Sequence, residues 1–341
     1  MKKVAVVILN YNGERFLEKF LPTVMANCNP KEVEIVVADN ASTDNSLDLM
    51  HDCFPDIRVI ENGSNYGFST GYNLALQQVE AQYYVLLNSD IEVTPGWIEP
   101  VIKLMDSDPQ IAACQPKILS YYHREDFEYA GACGGFIDKY GYPFCRGRMF
   151  QHLEEDKGQY DTPMEVFWAT GACMFVRADL YHQIGGLDGS FFAHMEEIDL
   201  CWRLKNAGYK VFCCPQSVVY HIGGGTLPKN SPRKTYLNFR NNLSVLVKNL
   251  PDGHVKRIIL YRIFLDWVAA LKFLVEGCHK DSRMVFKAHW DFYRRLKPLR
   301  EKRKQSVRHK VSCVYWKNIV VQSILLGKKK FSELKSKDFS A

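Results

Sequence analysis

Four times within the first ninety residues a short apolar run breaks off into a cluster of asparagine, aspartate, serine or glycine. Residues 4–9 meet Asn10-Tyr11-Asn12-Gly13, and residues 34–38 meet Asp39-Asn40-Ala41-Ser42. Residues 57–60 run into a Gly/Asn-rich loop, and residues 83–87 end at Asn88-Ser89-Asp90. Between the runs, Phe16, Leu17, Phe20, Leu21 and Val24 repeat at helical spacing over 16–25. Thr43 or Asp44 is placed to cap a second helix through Met50, and residues 69–79 form a third. Strands alternating with helices in this way predict a mostly parallel α/β sheet. Such sheets bind ligands beyond the carboxyl ends of their strands, where these polar clusters stand.

Residues 110–165 are less regular, and the Gly/Cys/Tyr-rich stretch 129–145 predicts hairpins and a substrate-facing loop. Order returns at 166–177, at the Gly185-Gly186 turn and at a helix over 196–207, followed by strands over 210–214 and 218–221. Helices are then predicted over 232–249 and 255–276, with further basic helices to the end. The start, Met1-Lys2-Lys3 and an apolar run, resembles a signal peptide only briefly, because the run is short and lacks a small-residue cleavage site. Eleven scattered cysteines with no CxxC argue against a disulfide framework or a zinc site, and for a reducing compartment.

Charge divides the chain. Residues 1–228 hold 17 basic and 30 acidic side chains, and residues 229–341 hold 27 and 8. The expected organisation is a catalytic domain over 1–228 and a basic helical extension over 229–341. An excess of +19 calls for a polyanionic partner, nucleic acid or an anionic membrane. The apolar stretches favour the membrane, so no nucleic acid is expected. The 255–276 helix is broken by charges and too short of apolar residues to span a bilayer, which suggests an interfacial helix or the face of a helical appendage.

The chemistry lies in an ordered series. The clusters above are joined by Asn65-Tyr66-Gly67-Phe68-Ser69-Thr70-Gly71-Tyr72-Asn73, Gly185-Gly186-Leu187-Asp188, Glu196-Glu197-Ile198-Asp199-Leu200-Cys201-Trp202-Arg203 and His221-Ile222-Gly223-Gly224. Over residues 3–245 this series closely resembles family 2 glycosyltransferases of the GT-A fold, in the rhamnosyltransferase-like subgroup. The resemblance implies a nucleotide-diphospho-sugar transferase fold, a Rossmann-like mixed sheet flanked by helices.

The resemblance also implies roles. Asp90 would hold a divalent metal, Mg²⁺ or Mn²⁺, against the donor diphosphate, with Asn88 in place of the first acid of the fuller DxD motif and Ser89 between them. Read alone, Asp90 is a turn residue. Asp39 would accept from the imino N–H of uracil or thymine, implying a UDP- or dTDP-linked donor, with dTDP-rhamnose the first guess. Its alternative is a cap on the next helix. Asn10, Tyr11 and Asn12 would line the nucleoside pocket, and Asn65, Gly67, Gly71 and Asn73 would approach ribose and phosphate, although such glycines also cap helices. Glu197 matches the general base that takes the acceptor hydroxyl proton, with Glu196 in reserve. His221 would join the metal or the diphosphate, or serve structure alone. Arg240-Asn241-Asn242 would reach the diphosphate or acceptor, or form a polar helix face. Trp168, Thr170, Gly171 and Asp188 match the acceptor side, where Trp168 either stacks on a sugar or fills the core. Asp199 and Arg203, four apart, make a structural ion pair.

The expected enzyme is therefore an inverting transferase acting on a saccharide or polyprenyl-linked acceptor in surface polysaccharide synthesis. It would be cytoplasmic and peripheral at the inner face of the cell membrane. A nicotinamide dehydrogenase is excluded by the missing GxGxxG after the first strand. A non-catalytic sugar- or nucleotide-binding protein of the same fold is the other reading, and a base at Glu197 is superfluous to it.

Overall fold

The four apolar runs form strands with small shifts at their ends: β1 (Lys2–Asn10), β2 (Val33–Asp39), β3 (Arg58–Glu61) and β4 (Ala81–Asn88). In this computed structural model, which describes residues 1–223 and 231–341, they pair in parallel in the order β4-β1-β2-β3. Helices α1 (Glu14–Ala26), α2 (Ser46–Cys53) and α3 (Gly67–Leu76) make the crossovers. Alternation along β1 feeds two cores: Val4, Val6 and Ile8 pack with Leu17 and Leu21, whereas Ala5 and Val7 pack with Tyr72 and Leu76 on the other face. Register sets Asn10 opposite Asp39 and Leu9 opposite Asn88, so three polar clusters finish along one edge.

Beyond β4 the sheet becomes mixed. β5 (Ile91–Val93), α4 (Glu99–Ser107) and β6 (Ile111–Ser120) come next. The irregular segment folds as a hairpin ladder of β7 (Gly135–Asp138), β8 (Pro143–Cys145), β9 (Arg148–Met149) and β10 (His152–Leu153). The predicted 166–177 element is two strands, β11 (Met164–Val166) and β12 (Cys173–Arg177), and β12 inserts antiparallel between β4 and β6. After α5 (Ala178–Gln183) and α6 (Glu196–Asn206), the two strands expected over 210–221 are one, β13 (Lys210–His221). It pairs with β6 through a bulge between Cys214 and Val218, where Pro215 has no N–H to give the ladder.

The division expected at residue 228 falls within 224–230, outside the described residues, as does Gly224 of the histidine motif. The C-terminal third is nevertheless knitted into the body. Helix α7 (Pro232–Asn249) places Val245 and Leu246 in the main core. Lys248 reaches Asp188 at 2.5 Å and Asp199 at 2.8 Å. Helices α8 (Val255–Val275), α9 (His279–Arg294) and α10 (Leu296–Lys304) pack outside it, and the chain then returns. β14 (Val314–Tyr315) adds in parallel to β7, and Tyr315, Ile319 and Leu334 enter the main core. The extension also has a small core of its own, formed by Leu243, Val247, Ile263, Phe292 and Leu299.

Candidate functional site

A cleft of about 560 Å³ opens beyond the carboxyl ends of β1 and β4. It is lined by Asn10, Tyr11, Asn12, Asn65, Gly67, Asn88, Ser89, Asp90, Glu196, Glu197 and His221. Residues more than two hundred positions apart, Asn10 and His221, meet there because parallel strands end at one edge and β13 brings its own end beside them.

The side formed by the ends of β1 and β2 is a lattice of turns. Asp39 does not line the cleft. It is buried behind it, where Oδ2 accepts from the Ser42 N–H at 2.7 Å and Oδ1 from the Ser42 hydroxyl at 2.6 Å. Asn10 Nδ2 donates to the same carboxylate at 3.2 Å. Asn12, at φ 52°, accepts from the Thr43 N–H at 2.7 Å through Oδ1. Gly71 also lies away from the cleft: a Cβ there would stand 2.8 Å from the Asn40 amide. Asn73 is spent on structure, since it donates to the Leu187 carbonyl at 2.7 Å and accepts from Tyr181 at 2.6 Å. Gly67, at φ +74°, does face the cleft, and any Cβ would strike the Phe192 ring at 2.6 Å.

Asp90 closes the floor. Its Oδ1 lies 3.1 Å from His221 Nε2, and His221 Nδ1 lies 3.1 Å from Glu128 Oε2. Burial disfavours an imidazolium here, yet the carboxylates of Asp90 and Glu128 outweigh it and push the imidazole up to about 10. The cluster is therefore a cation between two anions, and His221 must release its proton before it coordinates a metal. A carboxylate and an imidazole side by side in a cleft suit a divalent ion whose remaining ligands come from a diphosphate. Among the described residues the one group of three whose ligand atoms all lie within 4.8 Å of one another is His123, Glu125 and Asp126, away from the cleft.

The wall formed by the loop before α6 carries strain. Phe192, His194 and Met195 have φ of 69°, 67° and 74°, the left-handed region that side chains with a Cβ avoid. The loop is held by α7. Asn241 Nδ2 donates to the carbonyls of Phe191, Ala193 and His194 at 3.1, 2.9 and 2.8 Å, and Arg240 donates to Phe191 at 3.0 Å. Arg240 and Asn241 thus brace the loop, and Asn242 donates to the Gly141 carbonyl at 2.6 Å. This loop delivers Glu196 and Glu197 in the first turn of α6. Burial pushes the Glu197 carboxyl up to about 7, against backbone donors that pull it down. Burial, then the neighbouring Glu197, drives Glu196 well above the carboxylate range. Glu196 Oε2, Glu197 Oε2 and His194 Nε2 are buried without a hydrogen-bond partner among the described residues.

Thr170 and Gly171 line the cleft, while Trp168 fills the core and donates from Nε1 to the Phe136 carbonyl at 3.0 Å. Asp188 holds Lys248 and Lys302. Arg203 pairs with Asp199 at 2.8 Å and ties down the Ile184 and Gly186 carbonyls. Glu128, Phe192, His194, Arg233 and Lys234 escape sequence reasoning. Glu128 sits in the aperiodic segment, and the others flank motifs without belonging to them.

A family model described as Glycosyl transferase family 2 matches residues 5–185. The N-acetylglucosaminyl-diphospho-decaprenol L-rhamnosyltransferase of Mycobacterium tuberculosis is 26% identical over 231 residues, covering 63% of this chain and 75% of that protein. The structure of GalNAc-T7 with UDP, GalNAc and Mn²⁺ aligns at TM-score 0.57 and 17% identity, over 74% of this chain and 49% of that one. This chain thus spans about half the length of GalNAc-T7. S. aureus TarS 1-349 in complex with UDP-GlcNAc aligns at TM-score 0.56 and 16% identity, over 88% of this chain and 83% of that one. These structural likenesses establish the fold.

Proposed function

The chain belongs to glycosyl transferase family 2, and on that footing we propose that it moves a sugar from a UDP- or dTDP-linked donor to a saccharide or polyprenyl-linked acceptor, with inversion. dTDP-rhamnose is the leading donor, supported by the rhamnosyltransferase relative, which is named for a lipid-diphosphate acceptor. The observation that carries this reading is the meeting, in one cleft, of the strand-end Asp90 with the buried Glu196 and the half-buried Glu197.

Asp90 and His221 are the residues that would hold Mg²⁺ or Mn²⁺, which supplies Lewis-acid neutralisation of the departing diphosphate. Asn10, Tyr11 and Asn12 shape the nucleoside end. Asp39 works through Ser42 and Asn10, fixing the turn that presents them. On the opposite wall Glu197 takes the acceptor hydroxyl proton. Its carboxyl, lifted to about 7 by burial, is a stronger base than an exposed glutamate and still ionises near neutrality. Burial and the neighbouring Glu197 both favour the protonated form of Glu196, which disfavours two adjacent anions in one pocket. Water is excluded by the loop carrying Phe192 and His194, and burial with Lys234 lowers the His194 imidazole to about 4, leaving it neutral.

The test is calorimetry of UDP and dTDP with and without Mn²⁺. Metal should tighten nucleotide binding to the native chain, and Asp90→Ala should abolish that gain. Undiminished metal dependence in Asp90→Ala would remove Asp90 from the site.

A further inference from the structure

We propose that α8 and α9 form a lipid-docking face that lies in the headgroup region of an anionic membrane. Along α8, Leu260, Phe264, Trp267, Val268, Leu271, Leu274 and Val275 are all exposed. Their spacing of three and four keeps them on one side of the helix, a stripe roughly 23 Å long at 1.5 Å per residue. Beside it α9 exposes Phe286, Trp290 and Tyr293. Isolated exposed apolar residues are ordinary; a continuous aromatic and aliphatic strip across two packed helices marks an interaction surface. No helix among the described residues is long and apolar enough to cross a membrane, so the strip lies on a bilayer and does not traverse it.

Charge selects lipid over a second copy of the chain. Over residues 255–300 the exposed ionic side chains are nine basic and one acidic, Glu276. Lys280, Arg283, Lys287 and Arg294 lie on α9 with the exposed aromatics. A symmetric dimer through this face would bring the two basic rims together, whereas anionic headgroups neutralise them. Trp and Tyr with Lys and Arg around an aliphatic centre is also the composition that the membrane interface favours. The face is coupled to the cleft. Thr235 donates to Asp281 at 2.5 Å and Tyr236 to Asp291 at 2.6 Å, one turn from Arg233 and Lys234 on the cleft wall. The inference goes beyond the transfer reaction and holds whatever the acceptor.

Truncation is the wrong test, because residues beyond 250 supply Tyr315, Ile319 and Leu334 to the main core. The full chain is instead sedimented with phosphatidylcholine vesicles with and without phosphatidylglycerol. Two triple variants accompany it: Phe264→Ser/Trp267→Ser/Leu271→Ser, and Lys280→Glu/Arg283→Glu/Lys287→Glu. UDP binding measured in parallel reports on folding and on the cleft. The native chain should bind the anionic vesicles and lose them at high salt. Each variant should bind about tenfold more weakly or worse, with UDP affinity unchanged. No binding by the native chain, or equal binding by the apolar variant, overturns the proposal. A native dimer that the apolar variant splits assigns the face to a second copy instead. Failure here leaves the transfer reading intact, since UDP binding tests that separately.

Discussion

Around the cleft the chain buries groups that proteins ordinarily leave in water: Glu196, Asp90, Glu128 and His221 are each less than a tenth exposed. Over α8 and α9 it leaves in water what proteins ordinarily bury, with Trp267 and Trp290 each more than half exposed. The cleft accepts the desolvation cost because a dry carboxylate is a better base and a dry ion cluster a stronger electrostatic site. The helical face, on the proposal above, accepts exposure because its complement is a lipid surface. Helix α7 links the two regions, since it packs against α6, which carries Glu196, and against α8 and α9. The same helix clamps the strained loop at Asn241 and carries α9 through Tyr236 and Thr235.

The sharpest way to break this comparison is to neutralise Glu197, the proposed base, while keeping its shape. Glu197→Gln should lower transfer by ~10²–10⁴-fold with donor affinity nearly unchanged, and Glu196→Gln should cost less. Turnover and nucleotide affinity measured side by side decide it. A nearly active Glu197→Gln with an inactive Glu196→Gln would move the base by one residue.

Next in size is pH. Glu197 acts as a base only when ionised, and its carboxyl is raised to about 7. Transfer at limiting substrate should therefore climb through neutrality and fall about tenfold per pH unit below it. A profile breaking near the ordinary glutamate value would show a wet, unperturbed carboxyl and dissolve the contrast with the surface. For stability the sign is reversed. A carboxyl raised in the folded state binds its proton more tightly there than in the unfolded chain. This burial therefore stabilises the fold least above pH 7.

The smallest effect sharpens the role of α7. Asn241→Ala removes the donor from the Ala193 and His194 carbonyls and leaves Phe191 with Arg240 alone, a cost of roughly 1–3 kcal/mol. Thermal unfolding should register it. Asn241 is a positioning residue, so the transfer profile should also shift toward lower pH as water reaches Glu197. Lost stability with an unmoved profile would make it merely structural.

The strand-end half of the cleft was legible because strand ends are marked by a change from apolar run to polar cluster. Asn10 to Asn12, Asn65, Gly67 and Asn88 to Asp90 line the cleft as their positions imply. Asp39, Gly71 and Asn73 share those motifs but face inward, and nothing in a motif tells a lining side chain from the one that holds the lining in place. Glu128 was invisible for a different reason. Its partner His221 is 93 residues away, and only the pairing of β13 with β6 brings them together.

By itself the sequence determined the alternation of strand and helix, the edge at which ligands bind, the family, and the charge imbalance of the C-terminal third. Each rests on local periodicity or local chemistry. Tertiary structure alone decided that this third is woven into the core, that the Arg240-Asn241-Asn242 segment braces a loop, and that an apolar stripe on α8 stays exposed. Periodicity fixes which residues share a helix face, but whether that face meets protein or solvent depends on what the rest of the chain brings against it.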